Sequence, residues 1–313
     1  MTIPLRWEGP LVPRHMAIVH TANQQYNFLS PALQRVYAAE SPLPTPMEAV
    51  LTPLATGGAM AVYTLTVRLA SGQVRHLVCK LPHDRRLVYT SGPGRATTIT
   101  TTGQLLERLI SLAEFLAKRA PGLFPRSGGL WHWQEDNGLC RYLLVEEFIP
   151  GLSVERLKHA CEQQFTAGEL SFEAYQQRRT GLERLAVATF TRLWDCLGRH
   201  TFTSDPSPWN VLVQHWEAKD GTSPMATIID LHSLEEDVGL TYVVQRLAAV
   251  YGMRQEVLEA AILPGILDTL GADEGRALLL AELPRLEAES RQTAQNLGVD
   301  LQRPLLNAIR ALA

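Results

Sequence analysis

Three polar side chains stand at strand boundaries in the second half of the sequence. Asp205 and Asn210 lie in Ser204-Asp205-Pro206-Ser207-Pro208-Trp209-Asn210, a proline-stiffened loop that opens directly into the apolar run Val211-Leu212-Val213. Asp230 closes a second run, Ala226-Thr227-Ile228-Ile229-Asp230. The polar stretch between the runs carries Gly221 and Pro224 and reads as a turn, so the two runs form a hairpin. A hairpin brings its open ends together. Asn210 and Asp230 therefore become neighbours, with Asp205 close by. Their oxygens are hard ligands suited to Mg²⁺, which takes few protein ligands and fills its shell with water and phosphate oxygens. Taken singly, Asp205 and Asn210 also read as ordinary turn residues beside proline. The hairpin is what unites the three.

The first half offers a cation. Lys80 ends the strand-like run His76-Leu77-Val78-Cys79-Lys80. It reads either as a strand-edge lysine or as a group that reaches the phosphates of a nucleotide. A carboxylate would hold it in the second case. Glu107 and Glu114 share roughly one face of a helix expected over 103–120, where Leu105, Leu109, Leu112 and Leu116 recur at helical spacing. Upstream, Gly57 and Gly58 stand between apparent strands, and a glycine-rich turn can bring backbone N–H groups to phosphates. Hairpins without any ligand use such glycines too.

The elements around these residues change character along the chain. Residues 1–45 carry many prolines and small polar residues and read as a loose N-terminal extension with one short helix near 31–39. Alternation over 60–69 and 74–80, split by a turn at 70–73, predicts antiparallel strands. A long loop follows over 81–100, then the 103–120 helix, stopped by Pro121 and Gly122. A second hairpin turns at Asp136-Asn137-Gly138, and Pro150-Gly151 breaks the chain after it. Beyond that point the pattern is mainly helical. Helices are expected over 153–163, 168–199 and 238–312, the last with breaks at Gly252, Pro264-Gly265, Gly271 and 298–300. The expectation is an α+β chain in three parts: an extension over 1–45, a sheet-based lobe with one main helix over 46–149, and a helical lobe over 150–313.

Composition narrows the function classes. The chain has 313 residues, 46% of them hydrophobic, and a formal charge of −3. That balance makes no electrostatic case for nucleic acid or for a membrane surface. The start of the sequence lacks the apolar core of a secretion signal, and no long apolar run predicts a membrane span. A cytoplasmic protein is expected. Cys79, Cys140, Cys161 and Cys196 form no CxxC pair and read as reduced core thiols. The histidines show no metal-ligand spacing, and the tryptophans do not interleave with basic residues as a nucleic-acid platform would.

These motifs, in this order, resemble the aminoglycoside phosphotransferase and choline kinase family of the protein-kinase-like fold. That family has a loop His-Gly-Asp-x-x-Pro-x-Asn before an apolar strand. Asp205, Pro208 and Asn210 fall on the pattern, with Thr203 and Ser204 in place of its His-Gly. Asp230 matches the family's Ile-Asp at the end of the next strand, and Glu146-Glu147-Phe148-Ile149-Pro150-Gly151 matches the linker between its lobes. The resemblance covers about residues 48–235. It implies a bilobal fold with an antiparallel-sheet N-lobe, one main helix and a helical C-lobe.

It also implies ATP and Mg²⁺. Backbone groups at Glu147, Phe148 and Ile149 would hold adenine, and Gly57 and Gly58 would lie over the phosphates. Lys80, oriented by Glu107, would contact the α and β phosphates. Asn210 and Asp230 would hold the metal, and Asp205 would take the proton from the acceptor hydroxyl. The acceptor would be a small molecule such as an aminoglycoside, an amino alcohol or a sugar. Glu235, Glu236 and Asp237 read either as a solvated helix start or as an attraction for a cationic acceptor. Trp209 reads as a residue that packs the loop, with contact to substrate as the alternative. The family's histidine braces its loop, and His200 is the nearby histidine here. The missing His-Gly also allows a second reading, a pseudokinase that binds nucleotide or protein without turnover. No Ala-Pro-Glu segment follows Asp230, which disfavours a protein substrate.

Overall fold

A computed structural model describes the chain apart from residues 1–2, 11, 41, 57–59, 83–87, 90–97, 100–110, 112–113, 116–117, 195–201, 204, 217–221, 231–233, 236, 252–254, 298–302 and 313. It divides into two compact units. The first comprises Met1–Phe115 and Pro125–Phe148, the second Leu116–Phe124 and Ile149–Ala313.

The first unit is built on a six-stranded sheet. Its strands are β1 (Leu5–Trp7), β2 (Pro46–Thr56), β3 (Met60–Leu69), β4 (Val74–Pro82), β7 (Ser127–Gln134) and β8 (Cys140–Glu147), in the order β1-β2-β3-β4-β8-β7. Buried and partly buried residues alternate along β3, so one face of the sheet is covered. Two helices pack there. These are α1 (Pro13–Tyr26) and α2 (Leu29–Val36), whose Ile18, Val19, Ala22, Leu29, Leu33 and Val36 join Leu51, Leu65, Val67, Leu77 and Val145 in one core. The buried Asn23 of α1 donates its side-chain amide to the Ile3 carbonyl at 2.8 Å and ties the start of the chain to the helix.

Two expectations change here. The sheet is mixed, because β1 runs parallel to β2. The start of the chain is not a loose arm but supplies two helices to the core. Polar residues are as numerous as apolar ones on α1, so the narrow stripe Ile18-Val19-Ala22 escapes a simple periodicity count. Most of the expected 103–120 helix lies outside the described residues, as does most of the 81–100 loop. Within that loop β5 (Val88–Tyr89) pairs with β6 (Thr98–Ile99).

The second unit is mainly helical. It contains α3 (Val154–Thr166), α4 (Phe172–Thr191), α5 (Leu240–Tyr251), α6 (Gln255–Leu270), α7 (Ala272–Leu297) and α8 (Arg303–Arg310). Two small sheets accompany them. One has β9 (Leu152–Ser153), β11 (Val211–Gln214) and β12 (Met225–Ile228) in the order β12-β11-β9; the other pairs β10 (Phe202–Thr203) with β13 (Leu234–Glu235). Gly271, at φ +85°, separates α6 from α7 as expected. Pro264-Gly265 is no break, because α6 runs through both. Gly265 serves packing instead: a Cβ there would stand 2.7 Å from the Ala188 carbonyl oxygen of α4. No helix among the described residues is long and apolar enough to cross a membrane. Cys79 and Cys161 are buried, and burial pushes the Cys79 thiol far up; Cys140 is exposed, contrary to a core role.

Candidate functional site

The hairpin forms as the sequence predicts. β11 and β12 pair antiparallel from Val211–Ile228 to Gln214–Met225. One step beyond, the Ile229 N–H donates to the Asn210 carbonyl at 2.9 Å, and Asp230 is the next residue. Asn210 and Asp230 thus flank the open end of one hairpin, both half-buried.

The loop before β11 is held by its own side chains. Ser207 caps a 3-10 turn over Pro208–Asn210, and its carbonyl accepts the Asn210 N–H at 2.9 Å. Pro206 is buried and anchors the loop, while Asp205 is exposed. The Asn210 amide Nδ2 donates to the Asp205 Oδ2 at 3.3 Å and to the Asp205 carbonyl at 3.4 Å. Committing Nδ2 this way leaves Oδ1, a hard acceptor, for another partner. Trp209, expected to pack the loop, is 56% exposed.

Thr203 supplies a contact to the loop that the sequence does not single out. It is almost fully buried in β10, and its Oγ1 accepts the Asp205 N–H at 3.1 Å. A threonine bonding the N–H two residues on is a common local turn, so the signal was present in Thr203-Ser204-Asp205. It braces the loop at the position where the resembled family has histidine. His200, the brace suggested by sequence, lies outside the described residues.

Tyr251 ends α5. Its hydroxyl is buried and has no hydrogen-bond partner among the described residues. Burial raises its ionisation first, and the negative charges of Glu155, Glu183 and Asp205 raise it further, so it stays a neutral phenol. Behind it the buried Glu183 of α4 accepts from Arg179 at 3.2 Å and lies 3.5 Å from Lys158 of α3. This ion cluster ties together two helices of the same unit.

Gly151 explains the Pro-Gly after the linker stretch. β9 pairs with β11 at Leu152–Val213, and a Cβ on Gly151 would stand 2.5 Å from the Val213 carbonyl oxygen. Only glycine allows that approach. Gly151→Ala is expected to lower stability by about 1–3 kcal/mol, read as a lower denaturation midpoint at unchanged slope. The strand it would push away is the one that begins after Asn210.

In the first unit Lys80 sits near the end of β4 with its Nζ 2.6 Å from Glu146 Oε2, both side chains largely buried. Lys80 pairs with Leu144 and Val78 with Glu146, so the two ionic residues are diagonal neighbours on adjacent strands. Sequence reasoning placed the partner at Glu107, which lies outside the described residues, as do Gly57 and Gly58. The Glu147 side chain turns instead to Arg126, with contacts of 2.6 and 3.0 Å. The Phe148 ring lies 5.6 Å from the His76 ring, and Ile149 is buried.

No protein-family model matches the chain, and no curated protein matches it. Among solved structures it is similar to one described as WaaP in complex with acyl carrier protein. The identity is 15% and the TM-score 0.38, over 90% of this chain and 96% of that one. So loose a superposition says nothing about chemistry, which rests on this chain's own side chains.

Among the described residues no three His, Cys, Asp or Glu groups gather as a metal-binding set. The open end of the hairpin instead offers an amide oxygen and carboxylates, donors that fit Mg²⁺ held partly by phosphate and water. A separate polar cavity lies at the start of α5, lined by Thr241, Tyr242, Gln245, Arg285 and Glu289 among others, and none of the predicted site residues borders it.

Proposed function

We propose that the protein is a Mg-ATP-dependent phosphotransferase that acts on a hydroxyl group of a small molecule. The observation that carries this reading is the cluster at the open end of the β11–β12 hairpin: Asp205 tied to Asn210, and Asn210 tied through its backbone to the residue before Asp230. A shape-only role has no need of an exposed carboxylate held in this way.

In this reading Asp205 accepts the proton of the acceptor hydroxyl. The acceptor oxygen bonds to the γ-phosphorus, the bond from that phosphorus to the β–γ bridging oxygen breaks, and ADP leaves. Asn210 Oδ1 and the Asp230 carboxylate would hold Mg²⁺, which when bound would supply neutralisation of phosphate charge. Lys80, ion-paired to Glu146, contacts the phosphates. Thr203 fixes the backbone at Asp205, so the carboxylate is positioned before substrate arrives. Backbone groups of Glu147–Ile149 take the adenine.

The test is Mg²⁺-dependent ADP release against a panel of amino alcohols, sugars and aminoglycosides. Stimulation by one acceptor class supports the reading and names the substrate. Mg-ATP binding with no stimulation by any acceptor favours the pseudokinase.

A further inference from the structure

The β4–β8 ladder ends at the pair Leu77–Glu147. One residue further along β4, His76 would present a bare backbone edge where β8 departs. Tyr37, the C-cap of α2, fills that edge. Its hydroxyl donates to the His76 carbonyl at 2.8 Å and accepts the His76 N–H at 3.3 Å. The Tyr37 ring is flanked by two guanidinium groups, Arg75 at 5.4 Å and Arg126 at 5.9 Å. Arg75 is ion-paired to Glu40, and Arg126 to Glu147.

The Arg126–Glu147 link is unusually complete. Arg126 Nε donates to Glu147 Oε2 at 3.0 Å and Nη2 to Oε1 at 2.6 Å. The Arg126 backbone N–H donates to Oε2 at 3.1 Å, and the Glu147 N–H donates to the Arg126 carbonyl at 2.9 Å. Bidentate Arg–carboxylate pairs fix geometry as well as charge. Glu147 therefore has its side chain and its N–H committed to Arg126. The chain leaves the sheet at Phe148 from a point fixed on one side by Arg126 and on the other by Tyr37.

We infer that Tyr37 and Arg126 are positioning residues for the adenine-binding backbone at Glu147–Ile149, so that the N-terminal α1–α2 segment sets nucleotide affinity. The inference rests on the kinase reading above and gives a role to Tyr37, which lies outside the region that resembles the family, and to Arg126, which no motif of that family singles out. Tyr37 and Arg126 touch no substrate; they act by fixing where Glu147 and Phe148 stand.

The experiment compares wild type, Tyr37→Phe and Arg126→Ala for binding of ATP and of inorganic tripolyphosphate, with melting temperature as a control. Tyr37→Phe keeps the ring and removes only the two His76 bonds, which guards against an Arg126→Ala protein that fails to fold. Both variants are expected to bind ATP about tenfold more weakly, the equivalent of about 1.4 kcal/mol, and tripolyphosphate as wild type does. In turnover the loss appears in KM for ATP and not in kcat. ATP affinity equal to wild type in a folded Tyr37→Phe protein overturns the inference and leaves the kinase reading standing. Equal weakening towards both ligands also overturns it, since the effect is then general. A wild-type protein that binds no ATP removes the kinase reading itself, and this inference with it.

Discussion

Asp205→Asn is expected to lower acceptor-dependent ADP formation by about 10²–10⁴-fold, the range for removing a positioned general base. The substitution is close to isosteric. Asp205 is exposed, its N–H bond from the backbone to Thr203 does not involve the carboxylate, and an asparagine oxygen still accepts from Asn210. Melting temperature should therefore stay near that of wild type. The loss should fall on kcat with KM for ATP little changed, because Asp205 acts on the acceptor proton and not on nucleotide binding. Steady-state kinetics beside a thermal melt separates this outcome from simple unfolding. A mutant with wild-type kcat removes Asp205 from the chemistry.

The second large effect belongs to the metal. Asp230→Ala is expected to reduce turnover by about 10²–10³-fold, the scale seen when one preorganised stabiliser of transition-state charge is lost. It should also shift the Mg²⁺ dependence to higher concentration, because a charged oxygen ligand leaves the end of the hairpin. Asn210→Ala should move the same curve less far, since it removes a neutral donor. A Mg²⁺ titration of initial rates reads both. If turnover falls without any shift in the Mg²⁺ curve, Asp230 serves the fold of the hairpin and not the ion.

The parts of the site visible in the sequence were those made of local pattern. Val211–Gln214 and Met225–Ile228 are short apolar runs joined by a turn-rich stretch, and their pairing follows from that alone. Asn210 and Asp230 inherit their proximity from the pairing. The parts that stayed hidden depend on contacts distant in sequence or on ambiguous polar residues. Glu146 and Glu147 are adjacent acidic residues at a strand end, and nothing local tells which meets Lys80 and which meets Arg126. Strand alternation sends them to opposite sides, but the partners come from β4 and from the residue just before β7. Tyr37 reaches His76 across a separation that no periodicity encodes.

The fold shows the same division. The β3–β4 and β7–β8 hairpins were legible from alternation and turn residues, with Gly138 at φ +81° in the expected place. The parallel β1–β2 pair was not, because three residues carry too little pattern. Pro264 misled for a different reason. Proline usually ends a helix, yet neighbouring packing at Gly265 holds α6 continuous through it. Local propensity lost to tertiary contact there, as it did at α1.

The most direct test of the central claim is to follow the phosphoryl group itself. Wild-type protein and Asp205→Asn are each incubated with Mg-ATP and the acceptor panel, and phosphorus NMR is recorded over time. The account predicts a new phosphomonoester resonance that grows with ADP for wild type, requires Mg²⁺ and is absent for Asp205→Asn. ATP that binds to both proteins yet gives no phosphoester with any acceptor contradicts it and leaves a nucleotide-binding protein without transfer chemistry.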